Sequence, residues 1–468
     1  MTDLEQRLRD ALRESRPVAA TLGPPAVMRR LRAARRRRAL AATLSVAVVL
    51  AGAGLATAAG LGRTSGGIRP APVRTAAAGP AAVPTAGAVP GPGAVSPYPA
   101  SSAGAAVPVP SPSPQSVGAT MLSISGSGPD DIWATGGYPT RANPGGSLTL
   151  HYNGSSWTQV AAPDAGQLSS VAAISRDDAW AVPGDNSRGA VLHWDGHSWS
   201  EQHLPAIADL ATLGVAGSGP DDVWIVGWQA GASLPGDSIG TRTLALHWNG
   251  STWTTTPTPN PSDRYNMLDA VLAISATDAW AVGQYGNDHC LTMHWNGAAW
   301  TSVPLPDSAS WDCDQLTGIA QLGGAGIWAV GHGQSGGFEH NIYLHWTGRE
   351  WAKQGTPPLS NTGAPSAISG TSLADAWAVG DISTDAILAR YVSGHWRYYA
   401  TSRSPLLGHV AQVTGIVTYS ASDAWAVGPS TSSSTSSTNV DSVTAVVLHW
   451  NGHKWQRMAI TGLGPSPG

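Results

Sequence analysis

Phenylalanine occurs once in 468 residues, lysine only at Lys353 and Lys454, cysteine only at Cys290 and Cys313, and charged residues make up 12% of the chain. Long helices need abundant Leu, Glu and Lys, so this composition excludes a mainly helical protein. The sequences G-x-S-x-G and H-E-x-x-H and a phosphate-binding glycine loop do not occur in a supporting context, so the usual hydrolase, zinc-protease and nucleotide chemistries have no foothold. Residues 1–38 contain neither Cys nor His, which excludes a zinc-held module there. Residues 62–117 contain no acid and are dominated by Ala, Pro, Gly, Ser and Val, so they cannot bury a core. They are predicted to be an extended linker, a stalk able to reach on the order of 100 Å.

What is abundant is Gly (56), Pro (35) and Trp (21), a composition suited to many short strands and turns around flat indole packing. The net charge of -4 hides an asymmetry: residues 1–38 hold 11 Arg against four acids, leaving the remainder at -11. Residues 39–61, "ALAATLSVAVVLAGAGLATAAGL", are 23 uncharged residues that as a helix would run roughly 34 Å and span a bilayer. The preceding "RRLRAARRRR" places the N-terminus in the cytoplasm and the rest outside. A cleaved signal peptide is the alternative, with "ATAAG" as its exit site, but the charged region before the apolar run is too long for one. Topology and anionic lipid account for the arginines, so no nucleic-acid partner is expected. Residues 2–16 put Leu4, Leu8, Ala11 and Leu12 on one helical stripe, a solvated or membrane-surface helix or a docking peptide for a cytoplasmic partner.

From residue 118 one motif, "DAWAVG" in its commonest form, returns seven times, centred on Trp133, Trp180, Trp224, Trp280, Trp328, Trp377 and Trp425. A second motif follows each copy, for example "HWDGHSW" at 193 and "HWNGAAW" at 294. Within a unit the period is two, and four strand-like runs are separated by turn chemistry, with Asn-Gly or Asp-Gly marking tight hairpins between the third and fourth. Seven four-stranded units are what a β-propeller needs, because radially packed twisted sheets cover one another's apolar faces. The predicted fold is all-β: one seven-bladed propeller over residues 118–462, with a short tail at 463–468. The seven motif tryptophans are read as structural. In the fourth unit Asp278 is expected to begin the second strand, Trp280 to fill the space between blades, and Gly283 to end the strand at a bend.

These motifs resemble the bacterial extracytoplasmic propeller repeats of the "DAWAVG…HWNGxxW" type and, more distantly, WD40 and kelch propellers. The resemblance covers residues 118–462 and implies fold rather than activity. By analogy with the hydrogen-bonded tetrad of WD40 blades, it implies a buried network of Ser275, Asp278 and His294 beside Trp280 or Trp295.

Six units carry His before the second aromatic: His151, His193, His247, His294, His345 and His449. Zinc needs its ligands about 2.0–2.3 Å from one point, and equivalent positions on different blades are far apart, so these are read as structural and no metal or cofactor is expected. Arg390 takes the position in the sixth unit, where the Gly is displaced to 394, so that hairpin should differ. Cys290 and Cys313 lie between the fourth and fifth units on the oxidising side and form a candidate disulfide. The variable loops join the second strand to the third and one blade to the next, and both classes fall on one face. Trp228 and Trp311, outside the repeat positions, map there with Tyr138, Tyr265 and Tyr285, near Asp209, Asp269 and Asp314 at the starts of innermost strands. Aromatics beside carboxylates suit a sugar ring or a protein anchor. The competing reading is that they pack under long loops, and a cation at an acidic pore mouth is a lesser alternative. The expected function is a protein- or envelope-glycan-binding module at the cell membrane rather than an enzyme. The alternatives are a glycan-acting hydrolase or lyase and a signalling protein using the cytoplasmic helix.

Overall fold

The computed structural model describes residues 119–461 apart from 140–143, 187, 235–237, 287, 306–312, 336–337, 356–363, 383–384, 400–409, 411 and 432–442. The proposed cytoplasmic tail, membrane helix, linker and C-terminal tail lie outside the described residues. Among those described, no helix is long and apolar enough to cross a membrane.

Seven sheets follow one another along the chain, each a four-stranded antiparallel meander. Blade four consists of Asn266–Ser275, Asp278–Tyr285, His289–Trp295 and Trp300–Ser302. The first strands of successive blades neighbour one another around the axis, so the first strand is innermost and the fourth strand is on the outside. The 1–2 and 3–4 connections form one end of the ring, the turn face. The 2–3 and blade-to-blade connections form the other, the loop face.

The motif tryptophans fill the seams between blades, as the sequence predicts, and all seven are buried. Each meets the second-motif aromatics of the next blade. Trp133 lies 4.9 Å from both Trp194 and Trp199, and Trp180 lies 5.1 Å from both Trp248 and Trp253. Trp224 and Trp377 repeat this against blades four and seven, and Trp280 lies 4.9 Å from Trp346 and 5.6 Å from Trp351. Trp328 departs from the pattern, with Tyr391 of blade six in place of the first Trp. Its contacts are wider, 5.9 Å to Tyr391 and 6.3 Å to Trp396, and Tyr343 of its own blade stacks on Trp396 at 4.8 Å to share that seam.

Among the described residues each blade takes its four meander strands from one continuous stretch of chain. Ile460–Thr461 adds a fifth strand, parallel, to the outer edge of blade one, pairing with Trp157 and Thr158. The Thr461 hydroxyl also donates to the Trp157 carbonyl at 2.8 Å. The aromatic contact is kept across this seam, Trp425 of blade seven lying 4.6 Å from Tyr152 and 5.7 Å from Trp157 of blade one.

The repeated Gly has a different role from the expected one. Gly283 lies within its strand, paired with Leu268, and the innermost strand bulges opposite it at Asp269. A Cβ there would stand 2.8 Å from Leu268 Cα and closer still to the Met267 carbonyl oxygen. Gly136, Gly227, Gly331, Gly380 and Gly428 meet the equivalent carbonyl, so this residue admits a close approach of the innermost strand. Blade two has Pro183 instead, and its strand stops there.

Innermost strands of neighbouring blades are stitched by hydroxyls. Ser123 and Ser125 accept from the N–H groups of Val171 and Ala173, Ser170 from Val215, and Ser369 from Thr418, at 3.0–3.2 Å. Bulge residues return the bond: Ser169 donates to the Thr212 carbonyl at 2.9 Å and Thr317 to that of Pro365 at 2.6 Å. These serve backbone groups that have no ladder partner on the axis side.

Candidate functional site

On the turn face five His Nε2 atoms meet the carboxylate that opens their motif: His151 with Asp131, His193 with Asp178, His247 with Asp222, His294 with Asp278 and His449 with Asp423, at 2.7–3.0 Å. The imidazole lies on the motif Trp, 4.1–4.4 Å between ring centres, so Trp, His and Asp form one unit. Thus Trp133 carries His151 and Trp180 carries His193. Blade five is the exception, having Gly326 where the others have Asp. There His345 Nε2 donates to the Ala325 carbonyl at 2.7 Å, with its ring 4.9 Å from Trp328, and the Trp328 indole N–H donates to the same carbonyl at 3.2 Å.

The predicted network in blade four is corrected in two respects. Ser275 does not reach Asp278; its hydroxyl accepts from the Thr277 N–H at 3.3 Å. Nor is this pair buried, Asp278 and His294 being 42% and 31% exposed against 2% and 23% for Asp131 and His151. In blade one Ser127, one position further back, donates to Asp131. Burial pushes the Asp131 carboxyl up, but the His151 and Ser127 hydrogen bonds with the nearby charges of His151 and Arg176 outweigh it and hold it below the usual value.

The Asn-Gly pairs close four-residue loops rather than the two-residue hairpins their sequence suggests. The Asn296 side chain accepts from the N–H groups of Ala298 and Ala299, and Gly297 supplies the left-handed conformation. Blade six differs, as expected: Ser393 and Gly394, both at positive φ, form its two-residue turn.

On the loop face the candidates converge at the cleft between blades three and four. Trp224 and Val226 pack against blade four, and alternation places half-buried Trp228 on that side of its strand. Tyr285 packs onto the same cluster from blade four and stacks on His289 at 5.2 Å. The connection 256–265 crosses between them and carries Tyr265, 36% exposed. That connection is held by side chains. Asn260 accepts from the Thr243 N–H at 2.8 Å. Asn266 donates to the carbonyls of Thr241 and Ser262 and accepts from the Ser262 N–H at 2.7–3.0 Å. The main chain completes the bracket, with Thr241 N–H on the Arg264 carbonyl and Gly286 N–H on that of Tyr265, both at 2.7 Å. The result is a fixed aromatic rim with Asp263, Arg264 and Asp288 exposed around it.

No sequence-family model and no curated protein sequence matches the chain. Among the solved structures similar to it are three at low identity. YCF48 from Cyanidioschyzon merolae is 15% identical over 73% of this chain and 97% of that one, with a TM-score of 0.46. The WD40 propeller domain of Doa1 is 9% identical over 71% and 96%, with a TM-score of 0.44. The fucose-specific lectin from Aleuria aurantia is 11% identical over 75% and 97%, with a TM-score of 0.36. At such identities the likeness concerns fold alone.

The remaining candidates are placed as follows. Tyr138 is 4% exposed and belongs to the core between blades one and seven. Asp314 is buried near the start of its strand, and Asp269 sits at the bulge inside its strand rather than at the start. Asp209 is exposed at φ 47° just before blade three's first strand. Trp311 lies outside the described residues. Cys290 and Cys313 are disulfide-bonded, joining the third strand of blade four to the first of blade five. Among the described residues no three His, Cys, Asp or Glu side chains are grouped to hold a metal. Sequence reasoning missed Asn260, Asn266 and His289; an Asn beside Pro or before a strand is a turn signal, but not one that reveals which backbone it will brace.

Proposed function

We propose that the propeller is a recognition module whose ligand, a protein segment or a glycan, docks on the loop face at the cleft between blades three and four. The observation that carries this reading is the bracing of residues 256–266 by Asn260 and Asn266. It holds Tyr265 out in solvent beside Trp228 and the Tyr285–His289 stack. A rim ordered before binding loses little conformational entropy on association, which is where aromatic anchors gain most. Binding without turnover is the role we assign. We further propose that residues 39–61 anchor the chain in the membrane, with residues 1–38 cytoplasmic and the propeller outside.

The test is binding of the full chain to a glycan array and to crosslinked envelope fractions, compared with Trp228→Ala/Tyr265→Ala. Loss of a wild-type partner by a variant with unchanged melting temperature supports the rim. Undiminished binding by the variant places recognition elsewhere.

A further inference from the structure

Blade six departs from the repeat where the others carry His. Arg390 lies in the cleft between blades six and seven, its guanidinium 5.5 Å from the ring centres of both Trp377 and Trp450. It donates to the carbonyls of Ala374 and Ala421, at 3.5 and 3.3 Å, one on each side of the seam. Its cross-strand partner is Arg397, so both side chains leave the sheet on the same side, and Arg397 is exposed.

Two residues further along the same strand edge, Tyr399 also faces blade seven. Its ring lies 5.3 Å from Trp377 and 5.9 Å from Trp450, yet it is 37% exposed. From the opposite wall comes Arg457, which alternates with Trp455 on the side packed against blade six and donates to the Thr444 hydroxyl at 3.4 Å. Burial alone shifts Arg457 and lowers its pKa, with no neighbouring acid to offset it.

Among the described residues none of these three arginines makes an ion pair. Acids on the two walls are engaged elsewhere: Asp375 accepts from Thr371 and from the Ser372 N–H, Asp381 accepts from the Gln412 side chain at 3.3 Å, and Asp423 holds His449. Outside residues 1–38 the chain has 26 acids against 15 basic residues, so three unpaired arginines in one cleft oppose the overall charge. Guanidinium forks match a carboxylate geometrically, and a partly exposed tyrosine ring beside them offers a flat apolar face.

We propose that the outer cleft between blades six and seven binds a sugar acid within an acidic polysaccharide, its carboxylate on Arg397 and Arg457 and its ring on Tyr399. Arg390 positions the cleft by bridging the two blades. The site is separate from the rim at blades three and four and stands whether or not that rim binds.

The experiment is hydrogen exchange read by mass spectrometry on the full chain, with trigalacturonate, neutral maltotriose or an all-Glu peptide as probe. The same series is run on Arg397→Gln/Arg457→Gln after its melting temperature is shown to equal wild type. Trigalacturonate should protect residues 395–399 and 453–458, maltotriose should not, and the variant should bind at least tenfold more weakly. Protection confined to the arginine-rich residues 1–38, or unchanged in the variant, overturns the site. Equal protection by the all-Glu peptide overturns its assignment to a sugar acid.

Discussion

Replacing Gly283 by Ala adds one methyl group and should cost the propeller more than its size suggests. The new Cβ would lie 2.8 Å from Leu268 Cα and 2.9 Å from the Met267 carbonyl carbon, with that carbonyl's oxygen nearer still. Ordinary carbon–oxygen contacts are about 3.3–3.6 Å, so a buried strand must retreat by on the order of 1 Å. That strand is also tied to its neighbours around the axis, and overpacking of this kind costs roughly 1–3 kcal/mol. Gly283 has no positive φ to lose, so the whole cost is steric. For a domain of this size, 1 kcal/mol corresponds to roughly 1–2 °C in melting temperature, so a fall of about 1–6 °C is expected. The assay is thermal unfolding followed by near-ultraviolet circular dichroism, which reads the indole packing. Gly355→Ala is the control, because nothing lies within 4 Å of its added Cβ and φ is not positive; it should be neutral or stabilise by up to about 1 kcal/mol. Equal melting of Gly283→Ala and wild type would refute the close-approach explanation of the repeated glycine.

Removing the disulfide by Cys290→Ser/Cys313→Ser opens a cross-link spanning 23 residues and should lower unfolding stability by about 3 kcal/mol, read as a lower urea midpoint. Truncation after Met458 removes the closing strand and should destabilise the fold, whereas truncation after Thr461 should not; equal melting of the two would show that the fifth strand contributes nothing. The depressed pKa of Asp131 means its share of stability is fully present above its unfolded value of 3.8 and is lost as pH falls through the lower folded value. Asp131→Asn should therefore flatten the acid limb of the stability curve, read by thermal unfolding across the acid range.

The fold was legible because two motifs repeat seven times with strand period, and the spacing leaves one architecture that covers every apolar face. The pairing of Cys290 with Cys313 and the odd hairpin at Ser393 were legible for the same reason: each departs from, or lies between, counted repeats. What could not be read was anything decided between strands that are distant in sequence. The glycine's role depends on a carbonyl sixteen residues earlier, and the serine stitches on a neighbouring blade. Trp133, Trp180 and Trp328 look equivalent in sequence, yet Trp328 has the wider aromatic contacts of the three. Tyr138 and Tyr265 are both loop-face tyrosines in sequence, but one fills the seam beside blade seven and the other stands in solvent. Such differences are set by what the flanking blade presents, which single-strand periodicity does not encode. Arg390 stood out as a missing His, but its place between two indoles needed the geometry.

The propeller begins with blade one's innermost strand and its last described strand lies on the outer edge of the same sheet, so Thr461 and Thr120 are four strand spacings apart, about 19 Å, with a further offset of five residues along the strands, about 16 Å. The seam there uses the same aromatic contact as seams the backbone crosses. The order of the blades is therefore a circle that happens to be cut once. A bridge of about ten residues from Thr461 to Thr120, with new ends opened between Val160 and Leu168, should give a permuted chain that keeps all seven seams. In such a chain, whatever is attached to the ends can be moved around the ring without rebuilding either cleft.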